Sequence, residues 1–196
     1  FGDGGGSVLA GGVRWFGRVD TTNAAQPRFS WSGTGFVARF SGTSLSAGLA
    51  ISGAATIFKA VVDGTPQPPF TARETASYPL ASNLAAGVHT VELYRQTEGA
   101  QGESRLMELT GDGMLMDPPA GASRLIEVIG DSISCGYGNL GKNGDADCYP
   151  TESHWDTYGA IAARALNAEV STIAGSGRGI IRNYGGDMIG TMPMVY

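Results

Sequence analysis

A serine that could act as a nucleophile follows a dense apolar run. Residues 124–129, RLIEVI, are mostly aliphatic, which predicts a strand buried on both faces of a parallel sheet. Gly130-Asp131-Ser132 comes next, at the carboxyl edge where such sheets bind ligands. Asp131 is predicted to support this loop by accepting backbone hydrogen bonds. Ser132 is therefore a candidate nucleophile for acyl transfer, although the tripeptide alone is more typical of an ordinary turn.

A second glycine-rich loop favours the catalytic interpretation. The next predicted strand, at 169–174, runs into the sequence AGSGRG at 174–179. Because neighbouring parallel strands end at the same edge of a sheet, Ser176 and Gly177 should lie beside Ser132. Backbone N–H groups in such a loop can face the oxyanion that forms when a serine attacks an acyl carbon.

The spacing of apolar residues predicts the strands and the helix that must position these loops. Strands are predicted from alternation at 35–40, 57–62 and 88–95. Asp63-Gly64 predicts a tight turn, and the sequence TPQPP at 65–69 predicts a loop outside the ladder. From 153 to 166, apolar residues recur at three- and four-residue steps after a capping-box-like start, which predicts a helix.

Changes in composition divide the chain into segments. Residues 1–12 are predicted to be a flexible, glycine-rich segment, and 13–117 an all-β domain, a sandwich or jelly roll. Prolines and glycine mark a linker at 118–123. From 124 to 196 the order β-α-β is typical of a doubly wound α/β sheet.

Charge and composition exclude several classes of protein. The chain has 196 residues with a formal net charge of −5, and its basic residues are scattered, so nucleic acid is not an expected partner. Its apolar runs are shorter than the roughly 20 residues of a membrane helix. The first residues lack the basic-then-apolar order of a signal peptide, so a soluble, already processed chain is expected.

The cysteines and histidines leave alternatives open. Cys135 and Cys148 flank a polar, glycine-rich segment and are predicted to form a disulfide, with two free thiols as the alternative. These residue types do not complete a zinc site, so no metal is predicted. His89 is predicted to be a structural strand residue. His154 lies nearer the serine loop, and contact with substrate is favoured over the role of catalytic base.

Family resemblance rests on both halves of the chain. Gly130-Asp131-Ser132 together with Ser176-Gly177 resembles the first two blocks of the SGNH, or GDSL, hydrolases. A closer resemblance is to carbohydrate esterase family 2. It is carried by IEVIGDSISCGYG at 126–138, GRGIIRNYG at 177–185, VRWFGR at 13–18, FSWSG at 29–33 and RQTE at 95–98.

This resemblance implies a fold and an activity. The fold is an N-terminal β-sandwich of jelly-roll type, followed by the first part of an SGNH-hydrolase three-layer α/β/α domain. The activity is removal of acetyl groups from xylan or related polysaccharides by a secreted or periplasmic enzyme that uses no cofactor. Ser132 would be the nucleophile, and the N–H groups of Ser132 and Gly177 would donate to the oxyanion.

One departure from the SGNH pattern affects the mechanism. The asparagine of a Gly-x-Asn-Asp block and the late catalytic histidine do not occur before Tyr196, and Asn183 comes too soon after Gly177 to take the asparagine's role. The remainder of the SGNH domain is therefore expected on a second polypeptide, with a truncated fragment as the alternative. A non-catalytic carbohydrate-binding protein and a GDSL lipase or thioesterase are the rival functions.

Some arginines and tryptophans could contact sugars, but structural roles are predicted for them. Arg178 and Arg182 could meet sugar hydroxyls, but structural or surface contacts are favoured for arginines on such a loop. Trp15, Trp31 and Trp155 are predicted to pack in the core.

Overall fold

The computed structural model of the protein describes residues 12–196. The predicted flexible segment 1–12 lies, apart from Gly12, outside the described residues. The strands are β1 (Val13–Phe16), β2 (Arg28–Phe29), β3 (Gly35–Gly42), β4 (Leu45–Ile51), β5 (Thr56–Val62), β6 (Thr65–Pro66), β7 (Phe70–Ala72), β8 (Ala76–Ala81), β9 (Gly87–Arg95), β10 (Ser104–Gly111), β11 (Leu115–Met116), β12 (Leu125–Gly130) and β13 (Glu169–Ala174). The α-helices are α1 (Ser132–Cys135), α2 (Tyr158–Ala165) and α3 (Met192–Val195), and 3-10 turns occupy Gly99–Gln101, Tyr149–Thr151, His154–Asp156 and Tyr184–Gly186.

Two antiparallel sheets form most of the molecule. One has the order β1-β3-β9-β5-β6, with β11 added to β3 and β7 to β5, and the other has the order β2-β10-β4-β8. Buried side chains from both sheets make one hydrophobic cluster, with Phe36 and Phe58 from the first sheet and Leu49 and Leu106 from the second. Strands whose apolar residues alternate can bury one face in this way, because successive side chains point to opposite faces of the sheet. The fold is thus mostly sheet, and its jelly-roll connectivity stays a prediction.

The hairpin at Asp63-Gly64 departs in part from expectation. The predicted tight turn is present, with φ of 48° at Asp63 and 76° at Gly64. The predicted loop at 65–69 is wrong at its start, because Thr65 and Pro66 pair with β5 as strand β6. Proline is tolerated there since β6 lies at the edge of its sheet, where one side of the strand needs no partner.

The region from 124 onward has a parallel pair of strands, β12 and β13. Of the aliphatic side chains in β12, Val128 is buried while Leu125 and Ile129 are 65% and 52% exposed. The prediction of burial on both faces is therefore wrong for this strand. The physical reason is that successive residues of β12 face opposite sides of the sheet. Val128 packs against Gly159 of α2, whereas the described residues leave the side of Leu125 and Ile129 uncovered.

The helix after the serine loop begins later than predicted. His154–Asp156 forms a 3-10 turn, and Thr157 is extended, with ψ of 158°. The Thr157 hydroxyl accepts a hydrogen bond from the backbone N–H of Ala160 at 3.3 Å, so α2 is capped by Thr157 rather than by Ser153. Among the described helices, none is long and apolar enough to cross a membrane.

Polar contacts join the parallel pair to the antiparallel sheets. Arg14 of β1 forms an ion pair with Glu169 of β13, and its Nε donates to the carbonyl of Pro119 at 3.0 Å. These contacts dock β13 against the first antiparallel sheet. The residues of segment 95–98, which begins with the last residue of β9, are all buried and lead from that sheet toward the serine loop.

Candidate active site

Ser132 occupies a tight turn between β12 and α1. Asp131 precedes the helix, and its carboxylate accepts a hydrogen bond from the N–H of Ile133 at 3.0 Å, as predicted for a supporting residue. Gly130 makes the turn possible, because a Cβ there would lie 2.1 Å from Ser134 Oγ. Ser132 is half-buried at the first position of α1, so its hydroxyl is reachable from solvent.

The second glycine loop lies across the same cleft. Ser132, Ser176 and Gly177 line an open cavity of about 620 Å³, which Tyr137 and Tyr184 also border. Gly177 has a φ of +75°, in the left-handed region that glycine adopts without steric cost. The structure therefore brings together the three residues that the sequence placed at one sheet edge.

Glu98 of the β domain holds the second glycine loop through a hydrogen bond to its backbone. The backbone N–H of Ser176 donates to Glu98 Oε2 at 2.6 Å, and Glu98 is only 2% exposed. The N–H of Glu98 in turn donates to Glu152 Oε1 at 2.9 Å. Sequence reasoning used RQTE at 95–98 only as a mark of resemblance and missed this role. The available signal was a run of charged and polar residues directly after an alternating strand.

Arg95 makes segment 95–98 rigid. Its guanidinium is buried and donates to the carbonyls of Thr97, Glu98 and Gly102 at 2.8, 3.0 and 2.8 Å, and to Ser104 Oγ at 2.7 Å. Burial lowers the pKa of Arg95 to about 10, so the group remains charged at neutral pH. A buried cation with four acceptors fixes the local backbone.

Gln96 ties the same segment to the turn before α2. Its Oε1 accepts hydrogen bonds from Trp155 N at 2.9 Å and Ser153 Oγ at 3.2 Å, and its backbone carbonyl accepts from His154 N at 3.3 Å. These bonds hold the residues 153–155 against the β domain. The turn before α2 is therefore a structural part of the contact between the antiparallel sheets and the region of β12, β13 and α2, which is called the domain interface below.

His154 is buried in this interface and is 1% exposed. Its Nε2 lies 2.8 Å from Thr172 Oγ1, and burial lowers the pKa of the ring to about 4, which keeps the imidazole neutral. The expected contact with substrate is wrong, because the ring is enclosed by protein and does not line the cleft. His154 is likewise not placed to act as the base for Ser132.

His89 has the satisfied ring that its strand position predicts. Nδ1 lies 2.7 Å from Asp63 Oδ2 and Nε2 lies 2.8 Å from the carbonyl of Ala85. The hydrogen bond with Asp63 raises the pKa of the ring above its usual value. His89 belongs to the β5–β6–β9 region and takes no part in the cleft.

The predicted disulfide requires a correction, because Cys135 and Cys148 are free thiols in the structure. Cys135 lies in α1 and faces the domain interface, where its Sγ is 3.9 Å from Glu98 Oε2. Burial raises the pKa of this thiol far above its usual value, so it remains protonated. Cys148 lies instead against Gly138 and is half-buried. The two side chains thus point to different neighbours.

The loop that follows Gly177 is organised by its own polar residues. Asn183 accepts from the N–H of Gly179 at 3.1 Å and donates to the carbonyl of Ile189 at 2.8 Å, which is a structural role. Arg178 donates to the carbonyl of Gly190, as favoured for a structural contact. Arg182 is exposed and borders the cleft.

The tryptophans differ from one another. Trp15 packs on the core beside Phe29 and Phe36, with ring centroids 5.6 and 5.5 Å away. Trp155 is half-buried in the domain interface, not in the core cluster, with its ring 5.2 Å from that of Tyr94. Core packing is wrong for Trp31, which is half-buried and borders a shallow groove of about 200 Å³.

Comparisons with known proteins agree with this architecture of two antiparallel sheets joined to a serine loop. The family model described as carbohydrate esterase 2 N-terminal matches residues 15–119. The chain is 40% identical over 178 residues to the cellulase/esterase CelE of Acetivibrio thermocellus, covering 89% of this chain and 22% of that protein. It is 32% identical over 167 residues to an acetylxylan esterase / glucomannan deacetylase of Cellvibrio japonicus, covering 81% of this chain and 44% of that protein.

A solved structure gives the same result. A family two carbohydrate esterase from Clostridium thermocellum, in complex with cellohexaose, superposes with a TM-score of 0.87 and 38% identity, covering 92% of this chain and 56% of that one. The chain therefore belongs to carbohydrate esterase family 2. It spans less than two thirds of the length of each of these relatives.

Proposed function

We propose that this chain supplies the nucleophile side of a carbohydrate O-acetyl esterase. One observation carries the proposal: Ser132 and the Ser176–Gly177 loop line a single cleft, each directly after one of two paired parallel strands. The names of the relatives support an ester substrate on a carbohydrate. Xylan or a related acetylated polysaccharide is the proposed substrate, and a secreted or periplasmic location is proposed with it.

The reaction is acyl transfer to water. Ser132 Oγ attacks the acetyl carbonyl carbon while a base takes the hydroxyl proton, and the backbone N–H groups of Ser132 and Gly177 donate to the oxyanion. The sugar hydroxyl leaves with that proton. Water then attacks the acetyl-serine, which releases acetate and restores Ser132. No cofactor enters this sequence of steps.

The base and the third oxyanion donor are proposed to come from outside this chain. Neither His89 nor His154 borders the cleft. The remainder of an SGNH domain would supply the histidine and the asparagine. Exposed apolar side chains around β12, β13 and the cleft support such a covering layer. They include Leu125, Ile129, Ile133, Leu140, Ile180, Ile181, Tyr184 and Ile189.

The test is acetate release from acetylated xylan by the protein with a complete esterase domain. We expect Ser132→Ala to lower turnover by about 10⁴-fold while leaving thermal stability unchanged within about 0.5 kcal/mol, because the half-buried hydroxyl has no hydrogen-bond partner among the described residues. Ser82→Ala, at an exposed loop position of the β domain, is the matched control. Undiminished turnover by Ser132→Ala would contradict the proposal.

A non-catalytic carbohydrate-binding role is the second candidate. It is favoured because neither His89 nor His154 borders the cleft. It predicts retention on glycan gels without acetate release by wild-type protein. A lipase or thioesterase would instead cleave long-chain acyl esters in preference to acetyl esters. The same assay with acetyl and long-chain substrates separates the three functions.

A further inference from the structure

A buried carboxyl pair lies beneath the Ser176–Gly177 loop. Glu98 and Glu152 are 2% and 1% exposed. One oxygen of each is paired, since Glu98 Oε2 accepts the Ser176 N–H at 2.6 Å and Glu152 Oε1 accepts the Glu98 N–H at 2.9 Å. The remaining oxygens, Glu98 Oε1 and Glu152 Oε2, are buried and have no hydrogen-bond partner among the described residues.

Unpaired buried oxygens of this kind require a ligand. Glu98, Glu152 and Cys135 each offer a ligand atom within 4.8 Å of the others. A proton on Glu152 would supply such a ligand, because the two carboxyl groups offer atoms within 4.8 Å of each other and the O–H of Glu152 would donate toward the carboxylate of Glu98. Burial, together with the charge of Glu98, raises the pKa of Glu152 to about 8.

The surrounding groups leave one negative charge in the cluster. The Arg95 guanidinium, which donates to the Glu98 carbonyl, supplies one balancing positive charge. Burial raises the pKa values of Cys135, Tyr137 and Tyr149, so these groups stay neutral. The charge of Asp131 in the serine loop also raises the pKa of Cys135. One carboxylate and one carboxylic acid therefore match the single buried cation, whereas two carboxylates would leave an uncompensated charge.

We propose that Glu98 is a positioning residue of the esterase site: its carboxylate, held by a proton shared with Glu152, fixes the Ser176–Gly177 loop. The bond to the Ser176 N–H orients the peptide that precedes the Gly177 N–H, one of the two proposed oxyanion donors. The β domain thereby contributes a residue to the active site. The catalytic consequence rests on the proposed function, but the contact itself does not.

The first test follows the amide resonance of Ser176 by NMR, using this chain. In wild-type protein the resonance should shift as pH rises through about 8, when Glu152 loses its proton. Glu152→Gln should remove that transition, because its amide can donate to Glu98 at every pH. Glu98→Gln should also remove it, since the neighbouring charge is gone. Glu74→Gln, at an exposed position of the β domain, should behave as wild type.

The second test measures acetate release by the protein with a complete esterase domain. Glu98→Ala removes the acceptor and should lower kcat by about 10-fold to 100-fold with KM changed less, a smaller loss than removal of an oxyanion donor. Glu98→Gln should restore most of kcat at pH 6, because its amide oxygen can accept the Ser176 N–H. Wild-type kcat should fall as pH rises through about 8, and that of Glu152→Gln should not.

The outcomes separate this proposal from the proposed function. If wild-type protein releases no acetate, the proposed function fails and the NMR titration alone decides the contact. A Ser176 resonance that is insensitive to pH and to both glutamine variants would overturn the proposal, as would wild-type kcat in Glu98→Ala. A metal ion found in native protein by elemental analysis and lost on Glu152→Gln would replace the shared proton and also overturn it.

Discussion

At the scale of single residues, the proposed oxyanion donors are backbone groups and not side chains. The oxyanion donors proposed for Ser132 and Gly177 are N–H groups, so their positions follow from φ and ψ. Gly177 has a φ of +75° and its absent Cβ would lie 3.5 Å from Tyr184 Cβ, an ordinary contact. A side chain at 177 is therefore opposed by backbone conformation and not by lack of space.

Gly177→Ala should consequently lower turnover more than stability. The left-handed conformation costs alanine about 1 kcal/mol, and relief of that strain moves the N–H away from the oxyanion. Gly64→Ala is the matched control, because Gly64 has a φ of +76° with open space around it. Both variants should lose about 1 kcal/mol of unfolding free energy. Acetate release should fall at least about 10-fold only in Gly177→Ala, and equal turnover in the two would contradict the assignment.

At the scale of elements, the turn from β5 to β6 is fastened to β9 by one carboxylate. Asp63 Oδ1 accepts the Thr90 N–H at 2.8 Å and Oδ2 lies 2.7 Å from His89 Nδ1. The same contacts lower the pKa of Asp63 and raise that of His89. The stabilisation from a raised histidine pKa is complete below the unfolded pKa of about 6.5 and is lost as pH rises through the folded value.

Asp63→Asn should remove this part of the pH dependence. Asparagine tolerates the φ of 48° at this position and keeps an oxygen for the Thr90 N–H, but it carries no charge for His89. Chemical denaturation at pH 5.5 and 8 measures the effect. Wild-type protein should lose more stability across this interval than Asp63→Asn does. Equal losses in the two proteins would show that the pair contributes nothing to the pH dependence.

Strands were predictable where their signal is local, and contacts between elements were not. Alternation predicted the region of β3, and a continuous apolar run followed by glycine predicted β12 and the serine turn. The start of α2 was missed because Thr157 and Ser153 are both capable caps, and the contacts of Gln96 decide between them. The bond from Ser176 to Glu98 joins residues 78 positions apart, so no local pattern contains it.

At the scale of the whole molecule, the β domain and the serine loop share one interface that is rich in polar contacts. Gln96 and Glu98 bind the turn before α2 and the second glycine loop, while His154 packs on the backbone at Gly33. The cleft is therefore supported by the antiparallel sheets. A substitution that destabilises the interface should loosen the structure around the cleft before it destabilises the core between the two sheets.

Gly33→Ala tests this dependence. A Cβ at Gly33 would lie 2.2 Å from the His154 ring, and Gly33 has a φ of +75°. Overpacking of about 1–3 kcal/mol adds to a backbone cost of about 1 kcal/mol. Hydrogen exchange should accelerate in β13 and the loop after it while β3, β5 and β9 stay protected, because those strands bury their apolar side chains in their own core.

Gly64→Ala separates the interface clash from backbone strain, because it shares the left-handed φ and has nothing within 4 Å. It should accelerate exchange only around its own hairpin. Domain-selective exchange in Gly33→Ala would mean that the α/β region opens while the antiparallel sheets remain folded. Uniform acceleration across both regions would mean that the chain unfolds as one cooperative unit, and the interface would then be part of a single core rather than a joint between two.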